Sequence, residues 1–219
     1  MSKIILDFGS ANSCHNDKAY IKRMYDELKA VDTGKHEVVI KWQLFERAGD
    51  NLPLTHETFQ YAYDYGTKLG YKVTSSVFDK NSLDFLLRFD PCFVKIANRR
   101  DLDWLIGEVP RKVSVYVSIG EYHGEKMKAI EYGIDDTYLG NVTPICCVSN
   151  YPTTVDHYEE IFGRDVLKAA YGISDHTTNF GLWYRYKPEI IEWHYKLPDS
   201  TGLDAGPFAR TPAQLAEIL

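Results

Sequence analysis

Residues 171–195 read YGISDHTTNFGLWYRYKPEIIEWHY. Two short apolar runs, 170–173 at the start and 190–193 near the end, each deliver a histidine: His176 just past the first, His194 closing the second. Such short runs suit strands buried on both faces of a parallel sheet. Only about a dozen residues, 177–188, separate them, near the lower limit for a crossover between parallel strands, so a short or distorted helix is expected there. Glu192 stands two residues before His194 and in a strand shares its face. Two imidazoles and a carboxylate at neighbouring strand ends would suit a divalent metal of the manganese or zinc kind, although a histidine near a strand end is more often a hydrogen-bonded structural residue.

Working outward, β-branched apolar runs recur at 3–6, 37–42, 71–78, 92–96, 112–117 and 142–148. With the two runs above they make eight candidate strands. Helical periodicity marks 18–31, 56–69, 82–89, 102–108, 125–132 and 154–169. Strands alternating with helices indicate parallel βαβ units, and eight is the number that closes a (β/α)8 TIM barrel, compact here because such domains typically take about 250 residues. One domain over residues 1–219 is expected. The alternative, an open doubly wound sheet, normally carries a glycine-rich first turn, and Phe8-Gly9-Ser10-Ala11-Asn12 is not G-x-G-x-x-G.

Composition narrows the function classes. A formal charge of −6, from 25 basic and 31 acidic residues, with no basic run, gives no footprint for nucleic acid. No segment approaches the roughly 20 apolar residues of a membrane span, and MSKIILDFGS is too short an apolar stretch for a signal peptide, so a cytoplasmic protein is expected. Cys14, Cys92, Cys146 and Cys147 show no CxxC spacing and read as reduced structural thiols.

In a barrel the chemistry collects at the carboxyl ends of the strands. Those ends carry Asp7, Lys41 and Gln43, Ser75 and Ser76, Lys95 and Asn98, Ser118 and Gly120, Ser149, Asn150 and Tyr151, Ser174, Asp175 and His176, and Glu192 with His194. Lys41 follows Val38-Val39-Ile40 and Lys95 interrupts Phe93-Val94-Lys95-Ile96. An ammonium group directed into a barrel is costly unless an anion meets it. Two of them among serine hydroxyls suggest a phosphate or carboxylate ligand; the alternative is that each snorkels past the rim to water.

The order of these motifs resembles the sialic acid (N-acetylneuraminate) synthase family over nearly the whole chain. Its most specific pieces are Ser149-Asn150-Tyr151-Pro152-Thr153 and Gly172-Ile173-Ser174-Asp175-His176-Thr177, supported by Val39-Ile40-Lys41-Trp42-Gln43, Val94-Lys95-Ile96, Ser118-Ile119-Gly120 and Ile191-Glu192-Trp193-His194. The resemblance implies condensation of phosphoenolpyruvate with an N-acylated amino sugar. It implies that His176 and His194 hold manganese, and that Lys41, Lys95, Ser118 and Ser174 hold phosphoenolpyruvate. Gln43 and Tyr151 would line the sugar side, Asp204 would contact the sugar from a loosely matching turn, and Asp7 would handle protons. Ser76, Asn98 and Ser149 are further substrate-binding candidates, and Glu192 a catalytic one.

Several positions depart from the family pattern. Asp7 replaces a glutamate, and one methylene less moves the carboxylate by roughly an ångström. Arg100 replaces a glutamate that receives sugar hydroxyls, and Ser76 a threonine. Members also carry a carboxy-terminal antifreeze-like domain that reaches across a dimer, whereas this sequence stops at Leu219. A homodimer or another protein supplying that contact is therefore expected, or else a different aldehyde acceptor, anionic if Arg99 and Arg100 meet it. A barrel without catalysis, kept as a binding protein, is the third reading.

Overall fold

The computed structural model describes residues 2–120 and 141–219. Eight parallel strands close in chain order into a barrel: β1 (Lys3–Gly9), β2 (Glu37–Leu44), β3 (Lys72–Val77), β4 (Val94–Ile96), β5 (Val115–Ile119), β6 (Val142–Cys147), β7 (Gly172–Asp175) and β8 (Ile190–His194). Strand β8 pairs back onto β1, with Asp7 opposite His194. Around the strands lie α1 (Ala11–Cys14), α2 (Lys18–Val31), α3 (His56–Lys68), α4 (Lys80–Leu86), α5 (Trp104–Glu108), α6 (Val155–Phe162), α7 (Arg164–Ala169), α8 (Gly181–Tyr186) and α9 (Pro212–Leu215). This is the expected (β/α)8 barrel. The helix expected at 125–132 lies outside the described residues.

Side-chain oxygens cap many helices: Asp17 begins α2, Thr55 α3, Asp79 α4 and Thr154 α6, each accepting an otherwise unpaired backbone N–H. The periodic stretch 154–169 is two helices rather than one, because Gly163 takes φ 77° and ψ 151° between them, a conformation almost confined to glycine. The crossover at 177–188 holds only the six-residue α8. Four strands run further than the apolar runs suggested, β1 to Gly9, β2 to Leu44, β5 to Ile119 and β7 to Asp175. Apolar character stops at Asp7, Ser118 and Ser174, but the backbone ladder continues because those side chains enter the barrel.

Each strand is buried on both faces. The outer faces pack with the helices in one large core that includes Leu6, Ile40, Ile96, Val117, Ile173 and Trp193. The inner faces form a second, small core of Ile5, Val39, Phe93, Tyr116, Ile145 and Ile190. Gly172 completes that layer: a Cβ there would lie 2.3 Å from Ile145 Cδ1. Below it, Lys3 Nζ donates to the Tyr116 hydroxyl at 2.9 Å. No helix among the described residues is long and apolar enough to cross a membrane.

Candidate active site

Side chains alternate across a strand, so the residue two positions beyond each member of the inner core enters the barrel one layer higher. Ile5, Val39, Phe93, Tyr116, Ile145 and Ile190 thus give way to Asp7, Lys41, Lys95, Ser118, Cys147 and Glu192. An apolar plug becomes a largely polar floor within one step along these six strands. Above that floor opens a cavity of about 850 Å³. Asp7, Lys41, Gln43, Ser76, Lys95, Asn98, Ser118, Ser149, Tyr151, Ser174, His176, Glu192, His194 and Asp204 all line it. Ser75 takes the opposite face of β3 from Ser76 and does not line the cavity.

The floor is charged and almost fully buried. Lys41 Nζ donates to Asp7 Oδ2 at 2.5 Å and reaches Ser76 Oγ at 3.5 Å, with Glu192 Oε1 4.0 Å away. Burial by itself would favour a neutral Lys41, but Asp7 and Glu192 outweigh it and hold the ammonium above its ordinary value. Burial pushes the Asp7 carboxyl up, yet the charge of Lys41, with hydrogen bonds from Lys41 and the Gly9 N–H, brings it down to about 2. Asp7 therefore enters neutral solution as a carboxylate, able to accept a proton and not to give one. Lys95 Nζ donates to Ser118 Oγ at 2.6 Å and lies 3.6 Å from Glu192 Oε1. An ammonium group has three donors, and Lys95 lines the cavity.

Glu192 Oε1 accepts from Ser174 Oγ at 2.9 Å, and its Oε2 is buried with no partner. Oε1 thus lies 3.6 and 4.0 Å from the two lysines, while Ser174 Oγ, 3.4 Å from His176 Nε2, bridges Glu192 to that histidine. Burial raises the Glu192 carboxyl, but Lys41 and Lys95 more than reverse this. Asp204 is held at the mouth by the Ser10 N–H at 3.2 Å and by Gln43 Nε2 at 3.4 Å. Gly9, at φ 77°, leaves room for it, since a Cβ would stand 2.6 Å from Asp204 Oδ2.

The rings of His176 and His194 are 5.4 Å apart. His176 Nδ1 lies 2.7 Å from the Val148 carbonyl; a carbonyl only accepts, so Nδ1 carries the proton and Nε2, 3.4 Å from Ser174 Oγ, keeps its lone pair. Burial, then the neighbouring His194, pulls the His176 imidazole down to about 3, so it is neutral and available as a ligand. Among the described residues His194 Nδ1 is buried without a hydrogen-bond partner, 3.8 Å from Asp204 Oδ1. A backbone-anchored imidazole beside an orphaned one fits a divalent cation in donor chemistry. Among the described residues no group of three or more His, Cys, Asp or Glu has metal-binding geometry, so an ion held by this pair would keep positions open to water and substrate oxygens.

Other lining residues went unnoticed in the sequence. Cys147, read from the sequence as a buried structural thiol, is buried and also lines the cavity; the available signal was its spacing of two from Ile145 and Ser149. Asn51, Phe78 and Phe208 also line the cavity from loops, where no periodicity marks them. Phe208 meets His194 edge-on with centroids 5.0 Å apart, and Tyr151 lies over His176 at 4.1 Å. Arg99 lines the cavity and Arg100 does not. Arg99 is paired with Asp101 and lies 5.9 Å from the Phe78 ring. Asn98 Nδ2 donates to Ser149 Oγ at 2.8 Å, leaving a buried Oδ1 unpartnered.

Among solved structures, the sialic acid synthetase of Leptospira borgpetersenii serovar Hardjo-bovis, in complex with citrate, is 21% identical with a TM-score of 0.77. The match covers 99% of this chain and 80% of that one. A putative spore coat polysaccharide biosynthesis protein E from Chromobacterium violaceum is 18% identical with a TM-score of 0.81, over 99% and 72%. The phospho-2-dehydro-3-deoxyheptonate aldolase of Thermotoga maritima is 11% identical with a TM-score of 0.66, over 99% and 66%. At these identities the likeness is one of fold. No individually curated protein matches. The NeuB family model matches residues 19–219, from α2 through all the remaining strands of the barrel, and the chain belongs to the NeuB family.

Proposed function

We propose that this chain joins phosphoenolpyruvate to the aldehyde of an N-acylated amino sugar, of the N-acetylmannosamine kind, giving a nonulosonic sugar acid and inorganic phosphate. The observation that carries the reading is the pair of buried ammonium groups, Lys41 and Lys95, facing one cavity among the hydroxyls of Ser76, Ser118 and Ser174. Such a floor supplies charge and donors to a phosphate and a carboxylate together. Carbon three of the enol attacks the aldehyde, water adds to the resulting cation at carbon two, and the tetrahedral intermediate expels phosphate. Lys41 and Lys95 balance the substrate's charge throughout. Asp7, ionised and at the level of Lys41, accepts the proton that the adding water loses. Gln43, Tyr151, Asn98 and Asp204 line the upper cavity, where the sugar would be oriented against the enol. His176 and His194 would hold a divalent ion, manganese in this reading, whose Lewis acidity polarises the aldehyde.

The test is phosphate release from phosphoenolpyruvate in manganese buffer with N-acetylmannosamine and a panel of other aldoses, beside an EDTA control. Metal-dependent release with N-acetylmannosamine is the expected result. Release only with phosphorylated or acidic aldehydes would favour a second reading, the same chemistry on an anionic acceptor, which the position of Arg99 at the cavity supports. Binding of phosphoenolpyruvate without turnover across the panel would overturn both in favour of a non-catalytic barrel.

A further inference from the structure

One buried residue outside the cavity is bonded to both strand ends that carry the histidines. Arg210 is fully buried. Its backbone N–H donates to the His194 carbonyl at 2.7 Å. Its guanidinium donates to the carbonyls of Thr177 at 2.8 Å, Asn179 at 2.6 Å and Phe208 at 3.0 Å, and pairs with Asp175 Oδ2 at 3.5 Å. Asp175 and Thr177 are the two chain neighbours of His176. Asp175 Oδ2 also accepts from Trp193 Nε1 at 2.8 Å, and Trp193 immediately precedes His194. Asp175 and Trp193 are register partners across β7 and β8. They point out of the barrel where His176 and His194 point in, so the bonds at the rear constrain the spacing at the front.

The chemistry of the side chain is specific to this task. A guanidinium offers five donors in a rigid plane, and here the four on its terminal nitrogens reach three backbone carbonyls and a carboxylate; the ammonium of lysine is a point charge that cannot span them. The plane also lies over the rings of Phe180 and Trp193, at 5.0 and 6.0 Å. A buried ion pair kept for stability alone is commonly no better than an apolar replacement, whereas this one is bonded to both of the strand ends that present the cavity's imidazoles.

We propose that Arg210 is a positioning residue whose clamp on the rear of β7 and β8 sets the separation of His176 and His194 and thereby the affinity for a divalent ion. The proposal rests on the reading of those histidines as ion ligands. The experiment is Mn2+ titration by calorimetry on the full chain as wild type, His176→Ala, Arg210→Lys and Trp193→Phe, with thermal unfolding of each. Arg210→Lys keeps a counter-charge for Asp175, and Trp193→Phe removes only the indole donor while keeping a ring. Wild-type binding that is lost in His176→Ala and weakened about tenfold or more in folded Arg210→Lys is the expected pattern. A lower unfolding temperature with unchanged Mn2+ affinity, in Arg210→Lys or, should that variant not fold, in Trp193→Phe, would reduce Arg210 to a structural brace and overturn the proposal. A wild type that binds no Mn2+, or a His176→Ala variant that binds it equally, would instead remove the ligand reading beneath it.

Discussion

Two lysines share the floor of the cavity, but their partners give them different roles. Lys41 is bonded to Asp7 at 2.5 Å, whereas the counter-charge of Lys95 is no nearer than 3.6 Å. An incoming anion displaces less when it binds Lys95. Lys95→Met is accordingly expected to cost one charge-assisted contact, about 1.5–3 kcal/mol, and to weaken phosphoenolpyruvate binding roughly 10- to 100-fold with little change in fold, as read by calorimetry. Lys41→Met leaves Asp7 as a buried carboxylate without its partner, which costs about 3–5 kcal/mol. Its signature is a loss of stability in urea unfolding, in addition to any loss of binding. Equal loss of stability in the two variants would contradict this division. Both lysines stood out in the sequence because each interrupts an apolar run. Their unequal pairing did not, because partners from β1 and β8 meet them only when the barrel closes.

At the scale of the element, each strand carries two instructions: which positions fill the inner core, and which rise above it. The inner layer tolerates little extra volume. Gly172→Ala would place its Cβ 2.3 Å from Ile145 Cδ1, and overpacking of that kind costs about 1–3 kcal/mol. Ile145→Val removes the offending methyl, so the double variant Gly172→Ala/Ile145→Val is expected to recover most of the loss. Additive destabilisation in a double-mutant cycle by chemical denaturation would count against the contact. The strand positions were legible from β-branched runs, but their ends were not. At Asp7, Ser118 and Ser174 the composition turns polar while the ladder continues, since a polar side chain inside a closed barrel costs the backbone bonds nothing. The break at Gly163 was similarly hidden within an unbroken helical period.

For the whole molecule, closing the sheet brings residues from all eight strands within one cavity. A ligand there touches every part of the chain that positions the floor, so binding should register as global stability. At phosphoenolpyruvate one hundred times above its dissociation constant the gain is about 2.7 kcal/mol, which for a chain of this size raises the unfolding temperature by roughly 5–10 °C. Differential scanning fluorimetry reads this directly, and Lys95→Met should lose most of the shift at the same concentration. A shift in the variant equal to that of the wild type would place the anion away from the floor.

The sequence by itself determined the strand count, their parallel order and the identity of the polar residues at strand ends, because period and composition are local properties carried by a few neighbouring residues. The place of Cys147 at the cavity went unread, because composition argued for an ordinary buried thiol. The tertiary structure alone decided that Glu192 pairs with both lysines, that Asp7 is held ionised by Lys41, and that Arg99 rather than Arg100 reaches the cavity. It alone joined Arg210, from the end of the chain, to both histidine strands. Each of these depends on distances between residues far apart in the chain, and charge pairing and burial act through space, where no pattern of neighbours along the sequence records them.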